Sequence, residues 1–146
     1  MSGQLETLLE SLRGRFSQHP LHRFLGIELV SLEPDRCTVE AAIGPSTDNG
    51  SGTIHGGVIA ILADVAVAGA LATNFDGKMG FATSNLSLHY LRRARDVARA
   101  SAVILKKGSK VCVASVEVYD GRGVLCATAM SDYVLTTSKF AERHPE

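Results

Sequence analysis

The sequence predicts an α+β fold in which an antiparallel sheet curls around one buried helix. Three observations lead there. The run 58–72 is apolar on nearly every side and carries a single charge, Asp64, and a helix of that kind must be wrapped by protein. Two strand-like segments precede it and four follow, with turn signals between neighbours, as hairpin-connected antiparallel strands require. A length of 146 residues, 45% of them apolar, supplies one ordinary domain with a core. No linker, repeat or low-complexity stretch divides the chain, so a single domain over 1–146 is expected.

The elements follow in order. Residues 4–17 place Leu5, Leu8, Leu9, Leu12 and Phe16 on one helical face, with Glu6, Glu10 and Arg13 opposite; His19-Pro20 ends that helix. Segments 26–33 and 36–43 read as strands around a Glu33-Pro34-Asp35 turn. In the second, Cys37, Val39, Ala41 and Ile43 alternate with Thr38 and Glu40. A Gly- and Ser-rich loop, 44–57, feeds the apolar helix, and an Asp- and Gly-rich segment, 74–80, closes it. Segment 81–91 alternates Ala82, Ser84, Leu86, Leu88 and Tyr90 against Thr83, Asn85, Ser87 and His89. Strands over 97–105, 111–119 and 124–135 complete the sheet, and the tail 139–146 is expected to fray.

Several classes are disfavoured. Fifteen basic residues balance fifteen acidic ones, which argues against nucleic-acid binding, where affinity comes mainly from neutralised phosphates. The three cysteines (Cys37, Cys112 and Cys126) are far apart and form no CxxC or Cys/His ligand pattern, so neither a disulfide framework nor a zinc site is expected. Glu6 and Glu10 interrupt what a signal peptide would keep apolar, so a cytoplasmic protein is expected. The apolar run is short for a bilayer and has a carboxylate at its middle.

Chemistry-bearing residues collect where the loop meets the helix: Asn49, His55, Gly56, Gly57 and, further along, Asp64. A helix N-terminus offers unpaired N–H groups and positive dipole to a developing oxyanion, and glycine there lets a ligand approach the backbone. His55 either donates to that oxygen or caps the turn. Asp64 lies among Ala, Val, Ile and Leu, where a charge costs several kcal/mol unless it is paired or put to use. Gly56 and Asp64 are eight residues, hence about 12 Å, apart along one helix axis. If both act on one carbon, Asp64 must come from a second chain whose helix runs the opposite way. One sheet also leaves part of an all-apolar helix uncovered, and a two-fold-related copy is the simplest cover.

The string from Asn49 to Gly57 (NGSGTIHGG), followed by Leu62-Ala63-Asp64, resembles the hotdog-fold acyl-CoA thioesterases, specifically the phenylacetyl-CoA thioesterase-like group of the 4-hydroxybenzoyl-CoA thioesterase superfamily. The likeness continues through Thr83, the LSLHYL strand from Leu86, Gly108 and the VEVYD string ending at Asp120, over roughly residues 25–136. It implies that Gly56 N–H binds the thioester carbonyl and that His55 and Asn49 position that carbonyl or its loop. Asp64 of the neighbouring subunit would act as general base or nucleophile, and Thr83 would orient water. Gly57, Ser84, Arg92 and Arg93 become candidates for substrate contact. Arg93 departs from the proline common at that place. Seven basic residues between 92 and 110 face one acid, Asp96; they read either as a site for the phosphates of coenzyme A or as solvated strand-edge charges.

The expected activity is hydrolysis of an aryl-acyl or medium-chain acyl-CoA to free acid and CoA, with no metal or redox cofactor. The expected assembly is a homodimer, paired into a homotetramer. The alternatives on the same fold are a non-catalytic acyl-CoA-binding module and an enoyl-CoA hydratase or dehydratase.

Overall fold

The computed structural model describes residues 3–75 and 79–137; the expected fraying of 139–146 lies outside them. Helix α1 (Gly3–Gln18) is followed at once by a short α2 (Pro20–Leu25). Expecting His19-Pro20 only to end a helix missed the second one. His19 caps α2, its side chain accepting from Leu21 N at 3.2 Å. Pro20 takes the first helical position, where its missing N–H goes unneeded, and Gly26, at φ 67, ends the helix in the left-handed region.

Strands β1 (Glu28–Glu33) and β2 (Arg36–Ala42) form a hairpin around Pro34-Asp35. The central helix α3 (Gly56–Ala72) comes next, then β3 (Met79–Tyr90), β4 (Val97–Lys107), β5 (Val111–Tyr119) and β6 (Leu125–Thr137). All six strands join one antiparallel sheet in the order β1-β2-β4-β5-β6-β3. The α+β architecture is as the patterning predicts. No helix among the described residues is long and apolar enough to cross a membrane.

Helix α3 packs chiefly over β2, β4 and β5. Alternation puts Cys37, Val39 and Ala41 of β2 and Ala98, Ala100 and Ala102 of β4 inward, all buried. Ala63, Ala66 and Ala70 of the helix are buried in the same core cluster. Small residues facing small residues let the helix lie close to the sheet, and Leu62 and Leu71, both fully buried, contribute about 1.5–3 kcal/mol each by leaving water. The three cysteines are free and buried, so they act as small core hydrophobes.

The opposite flank of α3 is only half covered: Ala60, Ile61, Asp64, Val65, Ala68 and Ala72 are all intermediate in exposure. Beside it, edge strand β3 exposes 82–85. This strand also corrects the simple alternation read from the sequence. Thr83 pairs with Tyr133 but Asn85 pairs with Asp132, so Ser84 is an extra, bulged residue. The bulge switches which positions face inward, from Phe81 and Thr83 before it to Leu86 and Leu88 after it. Thr83 therefore shares a face with Leu86 instead of opposing it.

Candidate active site

The loop before α3 closes on itself. Asp48 Oδ1 accepts from Gly50 N and Gly52 N at 2.7 and 3.1 Å. Asn49 Oδ1 accepts from Ser51 N at 2.8 Å, and its amide donates to Thr53 Oγ1 at 2.7 Å. Asn49 thus builds the loop by these contacts, a local pattern that short polar side chains favour. The loop delivers His55 to the N-cap of α3, where its N–H donates to Thr47 O at 2.7 Å.

His55 then satisfies most of the helix's first turn. Its Nδ1 accepts from Gly57 N at 2.8 Å, and its carbonyl accepts from Val58 N and Ile59 N at 2.9 and 3.1 Å. With Nδ1 accepting, the neutral ring carries its proton on Nε2. A Cβ at position 57 would sit 3.0 Å from His55 Nδ1, closer than ordinary van der Waals contact, so a larger residue there would press on the capping ring. Tyr90 Oη donates to Gly56 O at 2.6 Å. The peptide between Gly56 and Gly57 is consequently held at both its carbonyl and its N–H. Among the described residues, Gly56 N–H is left without an acceptor in this turn. Gly56 lines a cavity of about 320 Å³ together with Asn49, Tyr90, Arg92 and Arg93.

Asp64 stands two turns along, on the half-covered flank. Its Oδ1 accepts from Thr83 Oγ1 at 2.7 Å and from Tyr133 Oη at 2.6 Å; the same phenol lies 3.0 Å from Asp64 O. Burial, then the carboxylate at its hydroxyl, push the Tyr133 pKa up, so the phenol stays a donor. Two hydroxyls thus fix one carboxylate oxygen, and Oδ2 has no protein partner among the described residues.

Of the residues singled out from the sequence, the chain brings Asp64 to Thr83, and brings His55, Gly56 and Gly57 together with Asn49, Arg92 and Arg93. It does not unite the two groups. Ser84, on the bulge, donates to Asp132 O at 3.1 Å instead of joining either. Arg92 donates to Leu125 O at 3.1 Å. Further along the basic stretch, Arg99 pairs with Glu40 at 2.7 Å and Lys107 with Asp35 at 3.0 Å, so those two serve the sheet. Tyr90 and Tyr133 went unread as site residues. A buried tyrosine needs a partner for its hydroxyl, and that requirement was the available signal for Tyr133, which is buried; Tyr90 is exposed and carried no such signal. No cluster of three or more His, Cys, Asp or Glu able to hold a metal occurs among the described residues.

Comparison with known proteins gives a consistent picture. The model of the thioesterase superfamily matches residues 51–127, just over half of the chain. A protein of Saccharolobus solfataricus with a provisional esterase name is 27% identical over 120 residues, covering 82% of this chain and 85% of its own. A solved thioesterase from Haemophilus influenzae superposes with TM-score 0.79 at 22% identity, over 89% of this chain and 91% of that one. The E. coli PaaI protein from the phenylacetic acid degradation operon gives 0.80 at 19%, over 90% and 96%. The structural likeness establishes the hotdog fold.

Proposed function

The chain belongs to the thioesterase superfamily, and from that premise we propose that it hydrolyses acyl-CoA thioesters to the free acid and CoA at a site shared by two copies. The observation that carries this reading is the unpartnered Gly56 N–H at the head of a helix whose one acid is Asp64. The thioester oxygen accepts from Gly56 N–H, where the helix dipole also favours the negative charge that develops. Asp64 of the opposing copy supplies the attack. Its Oδ2 either takes a proton from water, which adds to the carbonyl carbon, or adds directly. In both routes the C–S bond breaks as the tetrahedral intermediate collapses, and the thiolate leaves and is protonated to CoA; direct attack leaves an acyl–aspartyl anhydride, which a water then hydrolyses to the free acid and the Asp64 carboxylate. Thr83 and Tyr133 hold Oδ1 and so fix the direction of Oδ2.

A second copy is favoured by the half-covered flank of α3 and by β3, whose outer edge is unpaired in the chain, a ready template for another strand. Pairing two β3 strands antiparallel would also set the helices antiparallel, as the separation of Gly56 and Asp64 requires. Arg92 and Arg93, at the cavity beside Gly56, are placed to attract the phosphates of coenzyme A.

Thiol release over a panel of acyl-CoAs tests the activity, with crotonyl-CoA included to detect water addition. Asp64→Asn should lower kcat by about 10²–10⁴-fold. Binding without thiol release, or full kcat in a folded Asp64→Asn protein, would overturn the reading. Single-turnover reaction in H₂¹⁸O detects direct attack, because label enters Asp64 only when water opens an anhydride at the aspartyl carbonyl.

A further inference from the structure

We propose that Tyr90 is a positioning residue for the hydrolysis: its hydroxyl, bonded to the Gly56 carbonyl, fixes the direction of the Gly56 N–H that receives the thioester oxygen. This rests on the hydrolase reading above and adds a residue to its machinery. The bond is 2.6 Å long, and the ring lies along Gly56, where a built Cβ would stand 3.4 Å from Tyr90 Cζ and Oη. The residue that delivers the hydroxyl is itself anchored. Tyr90 closes β3 opposite Ala127 of β6, and the next two residues, Leu91 and Arg92, both donate their N–H to Cys126 O, at 2.8 and 3.1 Å. Partial burial pushes the Tyr90 pKa up, so the hydroxyl keeps the proton it donates.

The glycines create the need for such a tether. Gly56 N–H belongs to the peptide that joins it to His55, and that peptide is held through its carbonyl, which accepts from Val58 N and Ile59 N. The following peptide is held at both ends, by Tyr90 Oη at its carbonyl and by His55 Nδ1 at the Gly57 N–H. Between the two planes lies only the Gly56 Cα. Glycine lets a ligand reach the backbone there, yet it also leaves the two rotations about that carbon least restricted. Holding the planes on either side stops those rotations. The N–H then points one way before charge develops on the substrate, the preorganisation from which such donors draw their effect. A donor at a peptide oxygen also strengthens the N–H of the same peptide, so the phenol reinforces the bond from Gly57 to His55.

The alternative is a bond that only stabilises the helix end. Gly56 O, however, is the first carbonyl of an α-helix and already belongs to its i→i+4 ladder. Tyr90 is also 53% exposed, where water would serve the hydroxyl nearly as well. Tyr133 supplies a parallel within the chain, its Oη lying 2.6 Å from Asp64 Oδ1. Each of the two groups proposed to meet across copies is thus steered by one tyrosine, from the neighbouring strands β3 and β6.

The test is steady-state thiol release with Tyr90→Phe, which keeps the ring and removes the hydroxyl alone. Its kcat should fall about tenfold, its KM should stay within about twofold, and its Tm should drop by no more than about 4 °C. The decisive comparison repeats the change in Gly56→Pro, which has no N–H at that position to aim. There the loss in kcat should shrink to less than about twofold, because changes that act through one donor do not add. A merely structural bond would cost the same in both backgrounds. Tyr90→Leu also lacks the hydroxyl and enters the same cycle if Tyr90→Phe does not fold. Full kcat in a folded variant, a loss that appears in KM instead, or an undiminished loss beside Gly56→Pro would overturn the proposal. Each of those results needs a wild-type protein that releases thiol, and so leaves the hydrolase reading standing. No release by the wild type would bring down that reading, and this role with it.

Discussion

Replacing Gly56 with proline deletes one N–H that the fold itself does not use. Position 56 is the first residue of α3, where proline is well tolerated. The preceding His55 has φ −57 and ψ 134, the extended conformation that a residue before proline prefers. A Cβ there would meet the Tyr90 ring at 3.4 Å, an ordinary contact. Stability should therefore change by no more than about 0.5 kcal/mol, while loss of the oxyanion donor lowers kcat by about 10²–10³-fold. The sharper result comes from mixing. Equal amounts of Gly56→Pro and Asp64→Asn, unfolded together and refolded, should pair at random, so half the dimers are mixed and each mixed dimer contains one intact Gly56–Asp64 pair. Thiol release should then recover to about one quarter of the wild-type rate from two nearly inactive parents. A mixture no more active than the mean of its parents would show that the two groups do not meet across copies. Full activity in folded Gly56→Pro would show that this N–H takes no part.

Tyr133→Phe keeps the ring against Phe81 and loses the 2.6 Å bond to Asp64. Its kcat should fall about tenfold with little change in KM, and unchanged kcat would remove Tyr133 from the site. Gly69→Ala puts a methyl 2.6 Å from the buried Cys37 Sγ, so urea unfolding should show a loss of about 1–3 kcal/mol; adding Cys37→Ala should recover most of it. Arg122, followed by the backbone N–H groups of Val124 and Arg122, holds the Asp120 pKa below the usual carboxylate range. The stability this contributes is complete above the ordinary Asp pKa and lost as pH falls through the lower folded value. Asp120→Asn should accordingly lower Tm at neutral pH and flatten its decline in acid, as followed by thermal melts from pH 7 to 2.5.

What could be read in advance was whatever a single segment encodes. The all-apolar run named α3 as the centre of the fold, and its isolated carboxylate named Asp64, because both are properties of consecutive residues. Strand period gave β2 its correct alternation, with Cys37, Val39 and Ala41 buried, for the same reason. Helix α2 was missed because a histidine and a proline that stop one helix can also cap and start another. The Ser84 bulge was missed because it exists only in the pairing of β3 with β6. Tyr133 lies 69 residues from the acid it contacts, a distance over which local pattern is silent. Asn49 shows the converse difficulty: the same amide suits a loop closure or a substrate, and the structure assigns its contacts to the loop.

The bulge has a reach beyond its own residue. Thr83 and Tyr90 are seven positions apart, an odd number, so on an unbroken strand they would point to opposite sides. Both nevertheless touch α3, one at Asp64 and the other at Gly56, because the chain takes one extra step at Ser84. Deleting any one residue between them would leave every side chain of the machinery in the gene and still turn half of it outward. A homologue or designed scaffold that matches this strand residue for residue, but is short by that single step, should fold the sheet and lose the catalyst.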